Sequence, residues 1–181
     1  MRLTVERGLA DVRIEDIAAE AGVSLRTFRN YFSSKAEAIA AREVDRSLLI
    51  AAELRARPAG EPLWTAIRSS IVAQMALGEG GHGGEQPPDE QWLAGIRLMV
   101  TEPSLQGEIA RAYAVAGEEF AAAVADRTGT QGIYPRLVAE VVGAARSVAS
   151  AEWLRADPPR SMTDLLAEAL DQVTAGLPEP D

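Results

Sequence analysis

The stretch Val12-Arg-Ile-Glu-Asp-Ile-Ala-Ala-Glu-Ala-Gly-Val-Ser-Leu-Arg-Thr-Phe-Arg-Asn-Tyr-Phe-Ser-Ser-Lys35 decides the fold. Ile14, Ile17, Ala18 and Ala21 recur at helical spacing and make one apolar stripe. Gly22 ends that helix, because glycine accepts the positive φ of a sharp turn. Val23 is placed to plug the gap before the next helix, and Ser24 caps it. Phe28 and Phe32, four residues apart, make a second stripe. Two short helices with such stripes, joined by a tight turn, pack as a helix-turn-helix. The small side chains of Ala18 and Ala21 let the two helices come close.

The other side of the second helix is polar. At about 100° per residue from Phe28, Arg26, Arg29 and Asn30 point away from the apolar stripe, with Thr27 at its flank. These side chains hydrogen-bond base edges and phosphate oxygens. Leu25 lies closer in angle to Phe28, which makes it a core residue first and a base contact second. Lys35, the chain's one lysine beside seventeen arginines, follows just past the helix.

Outward from this segment, every periodic stretch is helical and no alternating strand pattern appears. A short helix is expected over about Arg2–Arg7, ended by Gly8. Asp11 opens the helix that Gly22 stops. Ser33 or Ser34 caps a fourth, with Glu37 three residues beyond Ser34 as in a capping box, and Pro58 ends it after Arg57. Further helices are expected over about Pro62–Leu77, Asp89–Thr101, Pro103–Gly129, Ile133–Ala156 and Ser161–Gly176. A glycine-rich loop, Gly78–Pro88, interrupts them. The chain is therefore read as all-α.

The 181 residues carry a net charge of −9, which argues against a polyanionic partner until it is divided. Residues 1–57 hold ten Lys/Arg and nine Asp/Glu, a net of +1, whereas residues 58–181 carry −10. A near-neutral head still meets phosphates if its bases share one face. With no cysteine, disulfides, thiolate metal sites and thiol nucleophiles are excluded. His82 is the single histidine and sits in the glycine loop without an imidazole partner. No phosphate-binding glycine motif, nucleophile elbow or metal-ligand spacing appears, so no enzyme, cofactor or metal is expected. The longest uncharged run, Ser69 to Gly78, is far short of a membrane span. The early charges do not make a signal peptide, and the reading is a cytoplasmic chain with no membrane partner.

Residues 6–35 resemble the DNA-binding domain of TetR-family transcriptional regulators. Glu6-Arg-Gly-Leu, Val12 to Ile17, Ala21-Gly-Val-Ser, Thr27-Phe, Tyr31-Phe and Ser34-Lys35 carry the likeness. The resemblance implies a helix-turn-helix domain over 1–45 and a helical ligand-binding and dimerisation domain over 46–181. It implies phosphate contacts by Ser24, Thr27, Tyr31 and Lys35, base contacts by Arg26 and Arg29, and a lesser one by Asn30. The family's first helix begins before the position that matches Met1, so that helix is expected to be short here. The alternative expectation is a helical small-molecule or partner-binding protein that has given up DNA for that reason.

The resemblance also implies a homodimer that holds operator DNA, as a repressor released by a small apolar or amphipathic effector. Some members sense acyl-CoA thioesters or drug-like molecules, and no residue here selects between them. Trp64, Ile67, Ile71, Met75, Trp92, Ile96, Met99, Tyr113 and Phe120 are the candidate pocket lining, and each also suits a helical core. Arg97 is a candidate partner for an anionic group. The small-residue run Val141–Ala151 and Leu165, Leu166, Ala169, Leu170 and Val173 on the last helix are the expected dimer surface.

Overall fold

A computed structural model of the chain describes residues 11–79, 101–156 and 160–179. Among these residues there are helices and turns but no strand. The helices are α1 (Ile14–Glu20), α2 (Leu25–Tyr31), α3 (Lys35–Ala56), α4 (Leu63–Glu79), α5 (Pro103–Thr128), α6 (Ile133–Arg155) and α7 (Met162–Thr174). The helix expected over Arg2–Arg7, nearly all of Asp89–Thr101, and the glycine loop past Glu79 with His82 lie outside the described residues.

α1 starts three residues later than Asp11 because Arg13 takes the cap position. The Arg13 backbone N–H donates to the Asp16 carboxylate at 3.3 Å. Val12 stays outside the helix, is buried, and its carbonyl accepts a hydrogen bond from Lys35 Nζ at 3.0 Å. At the other end, Val23 N–H donates to the Ala18 carbonyl at 2.9 Å and Gly22 N–H to that of Ala19 at 3.1 Å. This paired closure is a Schellman motif, and it needs the left-handed φ of +68° that Gly22 adopts. The same closure ends α7, with Gly176 and Leu177 donating to Val173 and Gln172.

Ser24 Oγ accepts from Thr27 N–H at 3.0 Å and starts α2. Seven residues make less than two turns and have little helical stability alone, so packing must hold them. Phe28 supplies that packing: it is 4% exposed, and its ring lies 5.3 Å from that of Phe32. Burying such a side chain contributes about 1.5–3 kcal/mol. From α1 only Ala18 is buried beside it, while Ala21 is exposed and Val23 only partly covered. The apolar stripe on α1 is thus narrower than its periodicity predicts.

α3 opens with Ser34 Oγ accepting from Glu37 N–H at 3.0 Å. The Glu37 carboxylate reaches one residue further back than a capping box does. It accepts from both the N–H and the hydroxyl of Ser33, each at 2.6 Å.

Two compact units divide the chain. Of the described residues, the first takes 11–45 and 101–113, the second 46–79, 114–156 and 160–179. In the first, Val12, Ala18, Phe28, Ala36, Ala40 and Leu105 are buried, with Ile39 and Ile109 packed around Ala36 and Leu105. In the second, α6 packs on α7 and α7 on α4. Its core includes Leu54, Ile67, Ile71, Phe120, Val124, Val138, Trp153, Leu165, Leu166 and Leu170.

That core removes part of the expected dimer surface. Ala145 and Ala149 are buried inside the chain's own fold, Ala149 to 1% exposure, together with Leu165, Leu166 and Leu170. Small residues on α6 admit α7 of the same chain. The apolar residues left open on α6 form a stripe that keeps Val141, Ala144 and Val148 of the expected run and extends it towards the start of the helix. Tyr134, Leu137, Ala144 and Val148 are exposed, with Val141 half-buried among them. Their spacing, 134–137–141–144–148, alternates three and four residues, the period of a helix seam.

Candidate nucleic-acid interface

The interface is built on α1 and α2. With Phe28 turned inward, Arg26, Thr27, Arg29, Asn30 and Tyr31 are all exposed. Arg26 makes no ion pair among the described residues. Arg29 lies opposite Glu15 of α1, Nη2 to Oε1 4.0 Å. Tyr31 is 74% exposed, its ring tilted against that of Phe32 at 6.5 Å. The helix therefore offers two guanidinium forks, a carboxamide and two hydroxyls on a surface free of buried apolar groups. Such donors match the acceptors of guanine and adenine in a major groove and the oxygens of phosphates.

Ser24 and Thr27 are tied to each other. Their hydroxyls share a hydrogen bond of 2.8 Å while Ser24 Oγ also receives Thr27 N–H. A phosphate oxygen would have to displace or extend that pair. Lys35 is half-buried, and one of its three ammonium protons is engaged by Val12. The same side chain thus anchors the lead-in to α1.

Electrostatics sharpen the start of α3. The Ser33 hydroxyl, then the Ser33 and Ser34 backbone N–H groups, hold the Glu37 carboxyl below its ordinary value, and Arg111 adds attraction. Arg111 is itself held by Glu108 at 2.6 Å. Glu37 is thus committed to its cap as an anion.

Of the expected pocket residues in the second unit, Ile67, Ile71 and Phe120 are buried, and Trp64 and Met75 are half-buried. Tyr113, half-buried, falls in the first unit. Trp92, Ile96, Met99 and Arg97 lie outside the described residues. An open groove of about 540 Å³ runs between α4 and α7, with Trp64, Arg68, Val72, Leu170 and Asp171 among its walls. Of the expected lining only Trp64 belongs to it. No group of three or more metal-ligating side chains, and no helix long and apolar enough to cross a membrane, occurs among the described residues.

Sequence reasoning missed Glu15. An acidic residue fourteen positions before an arginine is no signal by itself; only the angle of the turn at Gly22 brings the two together.

Comparison with known proteins bears on this geometry. Residues 1–41 match the family model described as bacterial regulatory proteins, tetR family. Residues 61–178 match the model of the MftR C-terminal domain. The chain belongs to the TetR family. This TetR-family chain is 31% identical over 181 residues to the "Putative mycofactocin biosynthesis transcriptional regulator MftR" of Mycobacterium tuberculosis (strain ATCC 25618 / H37Rv). The match covers 98% of this chain and 86% of that protein. As a TetR-family transcriptional regulator the chain is a DNA-binding protein, and α1 and α2 are its helix-turn-helix.

Proposed function

We propose that this chain is a repressor that holds operator DNA as a homodimer and releases it when a small apolar or amphipathic molecule binds. Residues 1–45 are the reading head, and residues 46–181 hold the effector and the second copy. The observation that carries the reading is the exposed polar face of α2, with Arg26, Thr27, Arg29 and Asn30 outward and Phe28 alone buried. Arg26 and Arg29 contact bases, Asn30 supports them, and Ser24, Thr27, Tyr31 and Lys35 contact phosphates.

Dimerisation runs through the open stripe on α6. Two copies related by a two-fold axis would bury Leu137, Val141, Ala144 and Val148 against their equivalents. The effector site draws on Trp64, Ile67, Ile71, Met75 and Phe120 of the second unit. The relative's printed role makes promoters of mycofactocin biosynthesis genes the first DNA to try.

Fluorescence anisotropy with such a promoter duplex, and with a scrambled duplex of equal length, tests the reading. Preferential binding of the promoter supports it, and equal binding at every salt concentration removes it. Linkage fixes the effector arm: a ligand that weakens DNA binding by some factor must itself bind more weakly to the DNA complex by the same factor.

A further inference from the structure

The two outward arginines of α2 differ in their surroundings. Arg26 is unpaired among the described residues, whereas Arg29 faces Glu15 at 4.0 Å. Both members of that pair are more than half exposed, so it adds little to stability. Its neighbour Asp16 is already used, accepting from the Arg13 N–H. Glu15 has no such task, and its carboxylate stands on the face that would approach DNA. A carboxylate beside a polyanion weakens binding to every sequence. What it returns is geometric. A guanidinium is planar and has two edges. With one edge drawn toward Glu15, the other is left in a restricted orientation for the O6 and N7 acceptors of a guanine.

We propose that Glu15 is a specificity-determining positioning residue: it orients Arg29 toward one guanine of the operator and penalises DNA that lacks this guanine. The proposal rests on the reading of α2 as the DNA-reading helix. Specificity here is a difference between affinities, and a repulsive element raises it by making the wrong sequence worse. When the correct base satisfies Arg29, the pair Glu15–Arg29 remains intact and neutral overall. On other sequences Arg29 turns to the backbone, and Glu15 is left facing phosphates without its cation.

The test uses the full chain and a library of duplexes with a randomised core, sequenced before and after selection, alongside sonicated genomic DNA as the non-specific probe. The variants are Arg29→Ala, Arg26→Ala, Glu15→Gln and Glu15→Asp. Arg29→Ala is expected to flatten the preference at one base pair. Glu15→Gln is expected to weaken the preference at that same pair by ~3-fold or more, within the range of a bidentate contact, while raising affinity for genomic DNA. Glu15→Asp keeps the charge and should restore most of the preference, whereas Arg26→Ala should flatten a different pair. In the Arg29→Ala background, Glu15→Gln should change no preference further. Circular dichroism should show all four variants folded, since every altered residue is exposed. If Glu15→Gln raises affinity for all duplexes alike and leaves the Arg29 pair untouched, the positioning role is overturned and the DNA-reading helix stands. If Arg29→Ala flattens no pair, the assignment of Arg29 to a base fails, and this proposal with it.

Discussion

Arg127 sits on the carbonyl of Pro58, Nη2 to O 2.6 Å. The same guanidinium also donates to the carbonyls of Glu61 at 2.6 Å and Arg57 at 3.2 Å. One side chain at the end of α5 thus satisfies three acceptors in the loop between α3 and α4. Beside it Arg57 and Glu61 form a two-bonded pair at 2.6 and 2.8 Å. Hydrogen bonds from a charged donor contribute more than neutral ones, so Arg127→Met should cost about 1–3 kcal/mol. Lysine offers a point charge in place of the fork, and Arg127→Lys should recover only part of the loss. Urea denaturation of the three proteins checks the order.

Acid should loosen the start of α3 through Glu37. Its native pKa is lowered, mainly by the Ser33 hydroxyl and backbone N–H. A depressed carboxyl stabilises the fold fully above its unfolded value, about 4.3, and the contribution disappears as pH falls through the lower native value. Glu37→Gln should therefore flatten stability between pH 5 and acid, roughly the carboxyl window, and change it less with pH near neutrality. Thermal melts across that range, compared with the parent chain, measure the difference.

Placement of the small residues on α6 makes two opposite predictions. Val148→Glu and Leu137→Arg alter the open stripe and should give folded monomers. Ala149→Glu puts a charge where the side chain is 1% exposed, so the fold itself should fail. Sedimentation velocity with circular dichroism separates the cases. A dimer that survives both Val148→Glu and Leu137→Arg would remove this stripe from the interface.

Lys35 should show a double phenotype. Replacing it with methionine removes the hydrogen bond to the Val12 carbonyl and, on the proposed function, a phosphate partner. Binding should weaken uniformly across sequences, with the salt slope reduced by about one. Stability should fall by about 0.5–1.5 kcal/mol. Arg26→Ala should instead cost about 1–3 kcal/mol of specific binding with no loss of stability. Salt titrations of binding, paired with melts, resolve the two.

The helices and their ends were legible because each depends on residues close in sequence. Ser24, Gly22, Ser34 and Ser161 act within four residues of the groups they satisfy. The polar face of α2 was legible for the same reason, since one buried residue, Phe28, fixes the angles of the other six. Contacts across the fold were not. Glu15 with Arg29, and Arg127 with Pro58, are set by the way helices cross, which no local pattern encodes. Ala145 and Ala149 show the ambiguity directly. A stripe of small residues announces a close neighbour but not whether that neighbour is α7 or another molecule.

The second helix of the helix-turn-helix, α2, which the proposed function assigns to DNA reading, buries a single one of its seven side chains. Its outward residues are consequently almost decoupled from folding, and on that assignment substitutions among them should alter recognition at nearly constant stability. Lineages carrying this fold can wander through operator preferences by single neutral steps, each leaving a foldable intermediate. A designer enjoys the same freedom: positions 26, 29 and 30 can be randomised together in a library with few clones lost to misfolding, provided Phe28, Ala18 and the left-handed turn at Gly22 are kept.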